Sequence, residues 1–140
     1  MSTPIDRPAA AAAPAELLVL QKWEAFTAWL LNHTGRWPKQ ARFTLTQRLE
    51  NHALDVTEML VQARYEPKLR PRLLHEVNLR LERMRFLCRI AVESHIENGK
   101  GFETTLRQVD EVGRMVHGWR VAIGDRTARP ADGVSAELPA

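Results

Sequence analysis

Leu74, Val77, Leu81, Met84, Cys88, Ala91 and His95 recur at alternating steps of three and four residues. That spacing lines up a single stripe along a helix of about six turns, whereas a strand, with a period of two, would scatter it over both faces. A second row, Leu79, Phe86 and Ile90, falls on roughly the opposite side of the same helix. A monomeric bundle leaves that side wet, so the second row predicts an additional partner surface. The Asn98-Gly99 pair is expected to cap this helix at its C-terminus.

The flanking sequence keeps the same period. Ala15 to Thr34 is expected to be a first helix with Leu17, Leu20, Phe26, Trp29 and Leu30 inward, stopped by Gly35 and the Trp37-Pro38 turn. Thr44 and Gln47 have the spacing of a capping box, with Phe43 placed as its hydrophobic staple. A second helix then runs to about Tyr65 on Leu45, Leu49, Val56, Met59 or Leu60, and Ala63. Pro67 ends it, and Pro71 suits the first turn of the third helix, where a missing N–H costs nothing. A fourth helix from about Phe102 to Val121 turns Leu106, Val109, Val112 or Gly113, Val116 and Trp119 inward. Short connections between four such rods predict an all-α, antiparallel up-down-up-down four-helix bundle over residues 15–123. Residues 1–14, rich in Ala and Pro, and residues 124–140 are expected to be disordered tails.

Several function classes drop out at this stage. No run reaches the roughly 18 apolar residues of a membrane span, so no membrane association is expected. The run Ala9 to Ala13 is bracketed by Pro8 and Pro14 and lacks a leucine-rich core, unlike a secretory signal. A lone cysteine, Cys88, excludes an internal disulfide and a Cys-rich zinc site, and points to a reduced, cytoplasmic setting. His33, His52, His75, His95 and His117 form neither a His-Glu-x-x-His pair nor a Glu-x-x-His iron motif. Gly99 and Gly101 read as a helix–helix turn, not as a phosphate loop, and there is no nucleophile elbow. His95 and Cys88, both on the stripe, read as core groups. Asp110 and Glu111 are neighbours that project about 100° apart, too divergent to chelate one ion, and pair more naturally with Arg107 or Arg114. The expectation is a protein that is not an enzyme and holds no metal and no cofactor.

Charge is where the sequence is most informative about partners. The net charge is only +3, but 16 of the 20 basic residues are arginine. Between Arg36 and Arg89 there are 12 basic residues against six acidic ones, a local +6 that leaves −3 for the remainder. Antiparallel rods would sort these to two ends. Arg36, Lys39, Arg42 and Arg48 belong to one, with no acid from 36 to 48; Arg64, Lys68, Arg70, Arg72 and Arg120 belong to the other. Arg80 and Arg83 extend the second end as a stripe along the third helix. Such clusters either bind phosphates with strong salt dependence or form a solvated, ion-paired face in which Glu76 takes part. Both readings stay open. Gly113 and Gly118 inside the fourth helix each cost about 1 kcal/mol relative to alanine and predict a close approach by another backbone or a large side chain. Arg85 and Arg89 flank the stripe, either as buried partners of Asp55, Glu58 or Asp110 or as interface residues.

Specific motifs then become recognisable. Pro38-Lys39, Arg42-Phe43-Thr44-Leu45 and Arg48-Leu49-Glu50 open the second helix, and Ala63-Arg64-Tyr65 closes it. Asn78, Leu81, Arg85 and Arg89 follow on the third, then Asp110-Glu111-Val112-Gly113-Arg114-Met115 and Gly118-Trp119 on the fourth. Over residues 17–121 this resembles the accessory variability determinant of diversity-generating retroelements. That family is similar in fold to the bundle proteins encoded in ribosomal-RNA intervening sequences, which stand as the alternative beside a protein-only helical adaptor. His117 departs from the pattern, which often has glycine there.

The resemblance implies a non-catalytic accessory subunit forming a homopentamer with a basic surface. It implies binding to the element's reverse transcriptase and template RNA, with DNA as a further ligand, in support of mutagenic cDNA synthesis and retrohoming. Arg42, Arg48, Arg64, Arg85, Arg89, Gly113, Arg114 and Trp119 match family motif positions and are expected to be structural or interface residues. Arg36, Lys39, Lys68, Arg70, Arg72, Arg80, Arg83 and Arg120 lie outside the motifs and are the expected nucleic-acid or polymerase contacts.

Overall fold

The computed structural model describes residues 14–128. Four helices make up the fold, α1 (Ala15–Thr34), α2 (Gln47–Tyr65), α3 (Arg70–Glu93) and α4 (Gly99–Ala128), and the described residues contain no strand. Each helix packs mainly against two others, α1 on α2 and α4, and α3 on α2 and α4. A single core runs down the middle. It takes Val19, Trp23, Phe26 and Leu30 from α1, Leu49, Ala53, Val56, Leu60 and Ala63 from α2, the six stripe residues from Leu74 to Ala91 from α3, and Val109, Val112, Val116, Trp119 and Ile123 from α4. None of the described helices is long and apolar enough to cross a membrane.

The stripe on α3 is buried as its spacing predicts, except at its last position. α3 ends at Glu93, and His95 is exposed with φ 60°, the one non-glycine residue in the left-handed region among the described residues. The reversal lets the N–H groups of Ile96 and Glu97 both donate to the Ala91 carbonyl, at 2.8 and 3.0 Å, which satisfies the helix end without Asn98-Gly99. That pair instead starts α4. Asn98 Oδ1 accepts the Gly101 N–H at 2.8 Å and the Asn98 carbonyl accepts that of Phe102, which is an N-cap.

Two other expectations are corrected. In α1 the inward stripe is Val19, Trp23, Phe26, Thr27, Leu30 and Thr34, and Trp29 lies on the surface. Trp29 projects about 110° from the mean direction of that stripe, and its ring stacks on His33 with centroids 4.7 Å apart. Before α2 no capping box forms. The chain passes through a 3₁₀ turn (Lys39–Ala41) and a π turn (Arg42–Thr46), so Thr46 enters α2 already helical at φ −59°, ψ −50°, where a capping residue needs extended backbone. Thr44 Oγ1 donates instead to the Ala41 carbonyl at 3.3 Å, and Phe43 is no staple.

α4 is longer than its apolar periodicity suggests, beginning three residues before Phe102 and continuing to Ala128. Residues 124–128, expected to be tail, are therefore helical, and Pro14 adjoins the start of α1. The remainder of the two expected tails lies outside the described residues. Gly113 meets its expected neighbour: a Cβ there would lie 3.3 Å from Arg85 Nη2 and 3.7 Å from Leu81 Cδ1. Gly118 does not, since a Cβ would meet nothing described within 4 Å.

Candidate nucleic-acid interface

At the α1–α2 turn the sequence supplies cations and no acid. The side chains of Arg36, Lys39, Arg42 and Arg48 are all exposed, with no hydrogen-bond or ion-pair partner among the described residues. The nearest carboxylate in sequence, Glu50, accepts a hydrogen bond from Thr34 Oγ1 at 2.5 Å, which ties the end of α1 to the start of α2. Beside it, Arg42, Thr34 and Glu50 help wall a cavity of about 50 Å³. Trp37 Nε1 and Thr46 Oγ1 line the same cavity and are buried without a partner among the described residues. This end of the molecule therefore carries donors in excess of acceptors.

The second basic cluster divides on inspection. Arg70 is built into the fold: its Nε–H donates to the Ala63 carbonyl at 2.6 Å and its Nη2 to the Arg64 carbonyl at 2.9 Å. These are the orphan carbonyls at the end of α2, so Arg70 caps that helix. Its guanidinium also lies 5.6 Å from the Trp119 ring centre, at the edge of a groove of about 340 Å³ bounded by Val19 and Met115. Arg64 sits 5.7 Å from the Tyr65 ring centre, and Arg120 is half-buried. Lys68 and Arg72 are exposed and unpaired among the described residues.

On α3 the ion-paired alternative holds. Arg80 Nη1 donates to Asp55 Oδ2 at 2.6 Å and its Nε to Glu76 Oε2 at 3.2 Å, and Arg83 Nη1 lies 3.8 Å from the same Glu76 oxygen. The hydrogen bond to Asp55 holds the Arg80 guanidinium charged more firmly than usual. Arg85 takes Asp110 as its cross-helix partner, at 2.9 Å, and Glu82 on its own helix, at 2.8 Å. Asp110 and Glu111 consequently do not depend on Arg107 or Arg114, because Glu111 pairs with Lys22 on α1 at 3.1 Å. Arg89 and Arg114 are exposed, and Arg89 lies 4.8 Å from the Phe86 ring centre. Leu79, Phe86 and Ile90 form the exposed apolar row expected on α3.

One cluster carries no local signal in the sequence. His33 Nε2 lies 2.6 Å from Glu97 Oε2, and the Glu97 side chain is only 4% exposed. The Asn98 N–H donates to Glu97 Oε1 at 2.9 Å, so both carboxylate oxygens are engaged. Cys88 is buried nearby, its thiol pushed up to about 12 first by burial and then by the Glu97 charge, which leaves it an inert core group at neutral pH. Among the described residues no three His, Cys, Asp or Glu side chains are placed to hold a metal ion.

His52, beside Arg80 at 3.5 Å, is shifted below its ordinary value of 6.5, first by burial and then by the Arg80 and Arg83 charges. The fold therefore favours the neutral imidazole. The unfolded chain binds more protons through this window, so the contribution is complete above pH 6.5 and is lost as pH falls through the lowered value. Thermal melts are expected to show lower stability at mildly acidic than at neutral pH, with part of that difference removed in His52→Gln. An identical pH dependence in the variant would contradict it.

The model of the family described as bAvd-like matches residues 17–123. No curated protein and no solved structure matches the chain.

Proposed function

The chain belongs to the bAvd-like family, and from that premise we propose that it is a non-catalytic accessory subunit of a diversity-generating retroelement. In this reading a cytoplasmic, up-down-up-down bundle assembles as a homopentamer and binds the reverse transcriptase and its template RNA. It thereby supports mutagenic cDNA synthesis and retrohoming. The observation that carries the reading is the set of exposed cations, Arg36, Lys39, Arg42 and Arg48 at one end and Lys68 and Arg72 at the other, without acidic partners among the described residues. Groups of this kind neutralise phosphates, whereas Arg70 and Arg80 already have partners within the bundle. The exposed row Leu79, Phe86 and Ile90 supports assembly or polymerase docking.

Light scattering with and without a structured RNA, at low and moderate salt, tests the proposal. The expected result is a mass near five times 16.0 kDa that rises on salt-sensitive RNA binding, together with capture of the retroelement's reverse transcriptase. Arg36→Ala should weaken RNA binding modestly and lower the salt slope by about one. A monomer indifferent to RNA would overturn the proposal.

A further inference from the structure

Phe43 is 80% exposed, the most exposed large apolar side chain among the described residues. Its position follows from the backbone. The π turn over Arg42–Thr46 admits one more residue per turn than an α-helix, which changes the direction of the side chains around it. Thr46 and Leu49 reach the interior while Phe43 faces out.

The other exposed aromatics have their rings occupied. His33 stacks on Trp29 at 4.7 Å, Arg64 lies over Tyr65 at 5.7 Å and Arg89 lies over Phe86 at 4.8 Å. No described ring or cation covers Phe43 in this way. It sits instead within a segment, residues 36–48, whose only charged side chains are Arg36, Lys39, Arg42 and Arg48.

We propose that Phe43 is a stacking platform for an unpaired base, so that the α1–α2 turn binds single-stranded nucleic acid in preference to duplex. The inference rests on the nucleic-acid reading above and adds the class of strand. Cations alone neutralise the phosphates of either form, whereas an open aromatic face takes up a base only when that base has left its own stack. Every base presents a π face, so the platform is sequence-tolerant and serves RNA and DNA alike. Arg42 and Arg48 then hold the backbone on either side of the stacked base.

The test uses the full chain, with fluorescence anisotropy on labelled oligo-U RNA and oligo-dT DNA of about 20 nucleotides, longer than typical single-strand sites, and on a duplex of the same length. In Phe43→Ala, single-strand affinity is expected to fall about 5- to 150-fold, the range that loss of one base–aromatic stack gives, with duplex affinity nearly unchanged. Phe43→Trp should keep the wild-type preference, and Phe43→Leu, apolar but without a π face, should lose it. Arg42→Ala should weaken single strand and duplex together.

The outcomes separate the two readings. A wild type that binds no oligonucleotide at low salt overturns the nucleic-acid reading and this inference with it. A wild type that binds, with Phe43→Ala its equal on single strands, overturns the stack alone. Equal losses on single strand and duplex, a changed solution mass, or a loss confined to RNA would each assign Phe43 another role and overturn it as well. The side chain is exposed, so the variants should melt at the wild-type temperature.

Discussion

Replacing Trp23 with alanine is expected to cost about 3–5 kcal/mol, the largest loss from any single truncation in this core. The indole is wholly buried, packs on Phe26 at a ring-centre distance of 4.9 Å, and donates its Nε1–H to the Ala53 carbonyl at 2.9 Å. Alanine removes the ring from the place where α1 meets α2 and breaks the cross-helix hydrogen bond to that carbonyl, which keeps the Thr57 hydroxyl as a donor at 3.0 Å. A domain of this size is stable by about 5–15 kcal/mol, so the variant should lose a fifth or more of its stability. Urea titration followed by circular dichroism measures the effect. Trp23→Phe separates its parts: it keeps most of the volume, loses the hydrogen bond, and should cost about 1–3 kcal/mol. A Trp23→Ala chain as stable as wild type would mean that the indole is not the anchor described.

The second large effect is expected from a far smaller change, Gly101→Ala. A methyl at that position would stand 2.6 Å from both Glu97 carboxylate oxygens and 2.6 Å from His33 Nε2. Flexible side-chain ends normally swing away from such a collision, but here they are held. Glu97 is fixed by His33 and the Asn98 N–H, and His33 by its stack on Trp29. Accommodating the methyl means parting the pair and leaving a buried carboxylate short of a partner, a loss of about 3 kcal/mol. Alanine is otherwise the better helix former, by about 1 kcal/mol relative to glycine, so the two effects oppose each other and the net destabilisation should be about 2 kcal/mol. Melting curves of Gly101→Ala beside Gly118→Ala make the comparison, because Gly118 has open space and should gain stability from the same change. Equal responses at the two glycines would rule out the clash.

Much of this fold can be read along the chain wherever polar residues flank an apolar one. α3 is the clear case: Leu74 to Ala91 form a stripe with few apolar competitors, and all six positions up to Ala91 are buried. α1 offers no such contrast, since Leu17-Leu18-Val19-Leu20 and Trp29-Leu30-Leu31 are apolar on every side. What decides its rotation is the contact between Trp23 and a carbonyl 30 residues away. Asn98-Gly99 misleads as a C-cap for a different reason, because asparagine is favoured at a helix start as well as tolerated just past a helix end. Only the hydrogen bonds of Ile96 and Glu97 to the Ala91 carbonyl, set up by the left-handed turn at His95, show which applies. At the basic ends, the local charge count cannot tell Arg70 from Arg72, although a cation shortly after a helix C-terminus is a recognised capper of its last carbonyls. The His33–Glu97 pair spans 64 residues and has no short-range signature at all.

The length of α2 has a consequence of its own. Arg48, in the exposed cluster at one end, and Arg64, four residues before the exposed Lys68 at the other, are 16 residues apart on one continuous helix, a separation of about 24 Å. The Debye length at physiological ionic strength is about 8 Å, so fields from the two ends overlap little. Under the proposed function each protomer is thus a two-handed binder. A duplex shorter than about seven base pairs, at 3.4 Å per pair, would be held by one hand only. Once a ligand spans both, the second grip becomes an intramolecular event whose strength is set by effective concentration. Affinity should therefore climb with ligand length in a step and not in proportion to charge.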